Sequence, residues 1–242
     1  DRTRYWRSPG TGESSSYGPR ITDLEYSTDI NHPEAPSASD FDGDGNFIWD
    51  NNGFLVTRGT GNGIPANNYQ DNYRGFFRDA IQSLNNLSIS GGTEKATYFF
   101  STSYLTNEGI VPNEEYGRKT FRLSGTLKAS DKLSFETTFN FTRSDYSRIQ
   151  QGSNTSGLLL GLYRTPISFD NANGFSPEDA VDSPSSYIFA NGKQRNYRGG
   201  GGYDNPYWLI NNALRDETAN RIFGSFKSDY NLNQWFNASL II

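Results

Sequence analysis

Cysteine is absent from the 242 residues, which removes disulfide scaffolds, thiolate metal sites and cysteine nucleophiles together. A single histidine, His32, leaves no material for a Ser-His-Asp triad or a histidine-rich zinc site. Methionine is absent too, and Asp1 to Gly10 is polar with no apolar leader, so the sequence reads as a fragment or a processed product. No run approaches the roughly 18 apolar residues that a transmembrane helix requires. The net charge of -5 gives no basic footprint for nucleic acid. Nothing singles out a catalytic pair among the 27 acidic residues, so the expectation is a protein that is not an enzyme.

Aliphatic residues are also scarce, with apolar content at 33% and mean hydropathy at -0.74. Yet aromatics reach 15%, with 17 Phe and 15 Tyr, and disordered chains are poor in such residues. That balance, with abundant Asn, Ser, Thr and Gly, suggests thin strands joined by long polar loops. A membrane strand needs only about 9–11 residues of alternating pattern, which a hydropathy window does not register.

Residues 1–84 read as loop. Within them Phe47–Asp50 and Phe54–Thr57 flank Asn51-Asn52-Gly53, the pattern of a β-hairpin. From Leu87 the sequence alternates. Residues 87–90, 96–105, 118–128, 133–146, 219–230 and 235–242 are predicted strands. In residues 118–128, Phe121, Leu123, Gly125 and Leu127 share one face, with Arg122, Ser124, Thr126 and Lys128 on the other. In residues 133–146, Leu133, Phe135, Phe139 and Phe141 oppose Ser134, Glu136, Thr138 and Asn140. Residues 147–218 form one long loop, in which Gly157 to Tyr163 has the makings of a short helix ended by Pro166.

The connections alternate: short (93–95), medium (106–117), short (129–132), very long (147–218), short (231–234). Outer-membrane barrels do this, with tight periplasmic turns and long extracellular loops. A β-sandwich also alternates along each strand, so periodicity does not decide; the asymmetry of the loops favours a barrel. The expected fold is all-β, part of a large antiparallel transmembrane β-barrel with long extracellular loops. Six strands do not close such a barrel, because the smallest have about eight. The expected organisation is an extracellular region with a hairpin (1–84), barrel strands (85–146), an extracellular loop (147–218) and barrel strands (219–242).

Several strings resemble a known family. Asn86-Leu-Ser-Ile-Ser-Gly-Gly-Thr-Glu-Lys-Ala-Thr-Tyr98 resembles the N-L-S-[IV]-S-G-G-x-E-K-x-x-Y stretch of SusC/RagA-type TonB-dependent transporters. Ser103 to Ile110 is similar to that family's strand end, and residues 118–128 to its return strand. Tyr163-Arg-Thr-Pro166, Asp204-Asn-Pro-Tyr-Trp208 and Asn220-Arg221 follow in the family's order, so the resemblance spans residues 69–242. It implies a barrel of about 22 strands around a plug, located in the bacterial outer membrane. It also implies a SusD-like surface lipoprotein and the TonB complex as partners, and oligosaccharides or peptides as cargo.

Two groups of candidate site residues remain. Asp40, Asp42, Asp44, Asn46 and Asp50 resemble the opening of a calcium loop, with Gly45 at the turn, although position twelve is Asn51 rather than an acid. Ca²⁺ is therefore the one cofactor considered; the alternative is an acidic turn before the hairpin. Tyr163, Tyr203, Tyr207 and Trp208 are candidates for contact with a ligand or partner, together with Tyr187 and Tyr197 in the same loop. Packing of the loop on itself is the favoured account of these aromatics, because buried aromatics usually serve structure. Tyr98, Tyr104, Tyr146 and Trp235, near strand ends, suit interfacial girdles or ordinary strand ends. The rival reading of the whole is a soluble, secreted β-rich carbohydrate-binding or adhesion module, calcium-stabilised.

Overall fold

A computed structural model describes residues 19–35, 50–69, 72–149, 157–197 and 204–242. They fall into two units: Asp1–Arg78, Ile110–Asn113 and Ile149–Arg215 in one, and Asp79–Gly109, Glu114–Arg148 and Asp216–Ile242 in the other. The fold is all-β in character, with antiparallel sheets and three short helices among the described residues.

In the first unit, β1 (Leu24–Ser27) pairs antiparallel with β2 (Phe54–Thr57). Only one arm of the expected hairpin is therefore described; Phe47, Ile48 and Trp49 lie outside the described residues. The turn before β2 is present, with Gly53 N–H donating to Asp50 C=O at 3.1 Å. Gly53 has φ 115°, and a Cβ there would meet Ser27 O at 2.1 Å, so no other residue fits this turn.

The expected long loop contains helices α1 (Leu158–Arg164), α2 (Pro177–Asp182) and α3 (Pro206–Asn212). At six or seven residues none would persist alone in water, so caps and packing must supply their stability. Ser176 caps α2, and Asn205 caps α3 by accepting from Tyr207 N–H at 2.8 Å; both helices have Pro at the first position. Leu158 and Leu162 of α1 pack inward with Phe76, Tyr207, Leu209 and Ile210. The irregular backbone between the helices is held by buried amides. Asn205 Nδ2 donates to Asn171 O at 3.0 Å, and Asn171 N–H donates to Asn72 Oδ1 at 3.0 Å.

The second unit is one sheet in the order β3-β4-β5-β6-β7-β8: Gln82–Gly92, Ala96–Glu108, Glu115–Lys128, Leu133–Ile149, Leu214–Asn233 and Phe236–Ile241. Sequence neighbours are sheet neighbours throughout, an up-and-down meander open at β3 and β8. Most strands run further than the sequence pattern predicts. Their ends carry polar residues on both faces (Thr106-Asn107-Glu108, for example), which erases the apolar alternation while the ladder continues.

The long connection accordingly shrinks from 147–218 to 150–213, and the medium one from 106–117 to 109–114. The tight turns remain tight, each capped by its own side chain. Thr93 Oγ1 accepts from Ala96 N–H at 3.3 Å, Ser130 Oγ from Leu133 N–H at 3.1 Å, and Asn233 Oδ1 from Trp235 N–H at 2.9 Å.

Replacing Asn205 by Ala removes the cap of α3 and leaves a buried carbonyl of Asn171 unpaired, a loss of about 2 kcal/mol. Asn205→Asp retains the cap acceptor but buries a carboxylate against the Asn171 carbonyl, and should lose at least as much. Urea unfolding of the intact chain checks both; equal stability of all three proteins would show that the amide does not hold the loop.

Candidate functional site

The register of the large sheet fixes its two faces. Across β5 and β6, Phe121 lies opposite Phe141, Leu123 opposite Phe139 and Leu127 opposite Phe135. Across β4 and β5, Phe100 lies opposite Leu123. Ring contacts run along this face: Phe100 to Phe121 at 5.1 Å, Phe121 to Phe139 at 6.2 Å, and Phe135 to Phe226 at 5.8 Å. Ile89, Ile222 and Leu240 continue it, each more than half exposed. A contiguous apolar face of this kind marks contact with lipid or with another surface.

The face has limits. On β4 it runs from Ala96 to Tyr104, nine residues by numbering, which at about 3.4 Å each spans roughly 27 Å along the strand. That matches the 9–11 residues of a tilted membrane strand. Tyr98 lies near the tight-turn end, where Gly91 makes room for its ring: a Cβ there would meet the Tyr98 hydroxyl at 2.6 Å. Beyond Tyr104 at the other end the same face turns polar. A cleft of about 410 Å³ opens there, lined among others by Tyr104, Glu108, Glu115, Lys119, Asp145 and Asp216. Lys119 Nζ lies 5.5 Å from the Tyr104 ring, and Thr218 donates to Asp145 at 2.8 Å.

The opposite face is hydroxyl-rich. Thr97 and Thr126 bond through their hydroxyls at 2.6 Å, and Ser103 bonds to Thr120 in the same way. Tyr146 belongs here and not to the apolar rim: it stacks on Tyr116 at 4.8 Å, its cross-strand neighbour. Of the four expected girdle aromatics, Tyr98 and Tyr104 lie on the apolar face and Trp235 stands exposed in the β7–β8 turn.

Charge divides unevenly between the faces. By alternation, Arg118, Arg122, Lys128, Arg148, Arg221 and Lys227 share the polar face with Glu136, Glu217 and Asp229. The apolar face carries Lys119 and Arg143 against Glu108, Glu115, Asp145 and Asp216, all towards the cleft. The alternation of residues 118–128 already places Arg122 and Lys128 on the polar side. The sum over strands needs the register, which no single strand contains.

In the first unit Asp50 is an acceptor hub. Its Oδ2 accepts from Asn67 Nδ2 at 2.8 Å and from the hydroxyls of Tyr26 at 3.0 Å and Tyr69 at 3.2 Å. Its Oδ1 accepts from Asn52 N–H at 2.9 Å and Asn52 Nδ2 at 2.7 Å. Asp50, the residue of the calcium pattern that the structure describes, thus accepts from five protein donors. Asp40, Asp42, Asp44 and Asn46 lie outside the described residues.

The loop aromatics separate clearly. Tyr207 is buried, with its ring 5.2 Å from Phe76, and Trp208 packs on the same core. Tyr207 is thus taken up in the loop's own core and Trp208 is partly buried against it; Tyr187 and Tyr197 are buried as well. Tyr203 lies outside the described residues. Tyr163 is exposed, at 63%, edge-on to Tyr73 at 6.4 Å and one turn from exposed Leu159. Arg195, which the sequence did not single out, is buried over the Phe169 ring at 4.5 Å. Desolvation lowers its pKa to about 10.

No protein-family model matches the chain. A stretch of 110 residues, 43% of this chain, is 34% identical to TonB-dependent receptor P26 of Formosa agariphila. The chain is similar to a TonB-dependent receptor. It spans about a tenth of that protein's length, with 10% covered, so the likeness concerns the kind of receptor and none of its cargo.

Burial, followed by the charge of Asp50, raises the Tyr69 phenol to about 12, and burial raises Tyr207 to about 12. A phenol kept neutral by the fold contributes full stability below its unfolded pKa near 10 and loses it as pH rises through about 12. Denaturation midpoints of the intact chain should fall between about pH 10 and 12. Tyr207→Phe should flatten that fall; a profile identical to the parent's would contradict the assignment.

Proposed function

We propose that this chain is a wall segment of a TonB-dependent outer-membrane importer of the SusC/RagA type. Such an importer takes up oligosaccharides or peptides in company with a SusD-like surface lipoprotein and is driven through the TonB complex. The observation that carries the reading is the two-faced sheet. Its apolar face runs the roughly nine residues that a tilted membrane strand needs, ends at Tyr104 opposite Lys119, and gives way to carboxylates just beyond. Charged side chains facing hydrocarbon are costly, so those residues belong at headgroup level, and Tyr104 belongs at the boundary.

The connections agree. Three tight turns alternate with connections 109–114 and 150–213, which supports a periplasmic side at Thr93, Ser130 and Gln234. Residues 1–80 and 147–218 then lie outside the cell. The exposed pair Tyr73 and Tyr163 is where the first unit offers aromatic surface to cargo or to the lipoprotein. The hydroxyl-rich face lines the lumen. The chain's role is to shape the path and not to carry out chemistry, and the similarity to a TonB-dependent receptor supports it.

A paired substitution tests the membrane assignment. Leu123 and Ser124 are adjacent residues on opposite faces. Leu123→Arg should cost about 2–4 kcal/mol at mid-membrane and reduce the folded protein recovered from outer membranes several-fold, whereas Ser124→Arg should cost little. Equal recovery of the two variants, or a parent that stays in solution without detergent, would remove the reading.

A further inference from the structure

The polar face of the large sheet carries more positive charge than a passive wetted wall needs. Within the second unit's strands, with β7 counted from Asp216, it holds six basic and three acidic side chains, against two basic and four acidic on the apolar face. Lys227 and Asp229 neutralise each other at 2.9 Å. The arginines differ. Arg118 sits in the ladder between Leu105 and Ser144, and Arg122 between Ser101 and Asn140, so neither faces a carboxylate on the strands beside it. The Nε of Arg118 is buried and makes no hydrogen bond among the described residues.

Three guanidiniums, that of Arg122 included, are held against rings. Arg122 lies 5.8 Å from the Phe99 centroid, Arg148 4.2 Å from Tyr146, and Arg221 5.1 Å from Phe223. Ring stacking fixes the plane of a guanidinium without neutralising it and leaves its N–H edges directed at planar or tetrahedral oxyanions. Arg118 and Arg122 are four residues apart on β5, roughly 13 Å along the strand. One small ion does not bridge that distance, but successive charged groups on a polymer do.

Resting on the importer reading, we propose that this face is a track for an anionic oligosaccharide whose carboxylate or sulfate groups engage Arg118 and Arg122. The hydroxyl pairs beside the arginines, Thr97 with Thr126 and Ser103 with Thr120, each donate and accept, which suits a polyol. An acidic peptide would share the charge but not the hydroxyls, and is therefore the occupant the test must exclude.

The test uses the whole polypeptide that carries this chain, purified in detergent, and calorimetric titration with three probes of matched length: sulfated dextran, dextran and polyglutamate. Sulfated dextran should bind at least about tenfold more tightly than either of the others, and its affinity should fall steeply from about 0.05 to about 0.5 M salt. Arg118→Gln and Arg122→Gln should each weaken it about tenfold, and Arg122→Lys by less, since the charge stays while the fork is lost.

Equal binding of dextran and sulfated dextran would overturn the proposal, as would tightest binding of polyglutamate, or unchanged affinity in folded Gln variants. If those variants fail to fold, the comparison of probes on the parent protein decides alone. A protein that needs detergent and discriminates among none of the probes would keep the importer reading while this inference fails. One that needs no detergent would remove both.

Discussion

A backbone that passes through hydrocarbon has no water to bond with, so every N–H and C=O must find its partner within the sheet. On the importer reading, that requirement organises the second unit. Once the ladder satisfies the backbone, a strand needs apolar side chains on one face only. This is how a chain of mean hydropathy -0.74 can still present Leu123, Phe139, Ile222 and Leu240 as a continuous apolar surface. Both edges of the sheet, β3 and β8, keep an unpaired side among the described residues. In a membrane such edges demand further strands. The open meander and the membrane reading therefore stand on the same physics.

The first unit solves the same accounting problem without a ladder. Its backbone turns irregularly between three helices too short to stabilise themselves, and side-chain amides take the place of strand partners. Asn113 Nδ2 donates to Ile210 O at 3.0 Å and Asn211 Nδ2 to Val181 O at 2.9 Å, while Asn72, Asn171 and Asn205 close the centre. The abundance of asparagine in the sequence thus has a structural use. Burial of Tyr207, Leu209 and Ile210 beneath these amides supplies the apolar contribution.

The sheet was legible in the sequence because strand periodicity is local: Phe121, Leu123 and Leu127 declare a face without any knowledge of the fold. Tight turns at Thr93 and Ser130 were legible for the same reason. Strand ends were not, because alternation disappears where both faces are wet, as at Thr106 to Glu108. The fate of the loop aromatics was equally hidden. Tyr163 and Tyr207 look alike in sequence, and only the register of α1 and α3 against Phe76 exposes one and buries the other. The partners of Asp50 were hidden too, because Tyr26 and Tyr69, which bond it, lie 24 and 19 residues away.

The chain's lack of cysteine makes one measurement unusually direct. Single cysteines placed in turn at positions 121 to 127 of the intact protein in outer membranes can be challenged with a water-soluble maleimide, and then as fluorescent conjugates with a lipid-borne quencher. A membrane wall requires period two: cysteines at 121, 123 and 127 shielded from the maleimide and quenched from the lipid, and those at 122, 124 and 126 labelled and unquenched. Uniform labelling with no quenching at any position would contradict it.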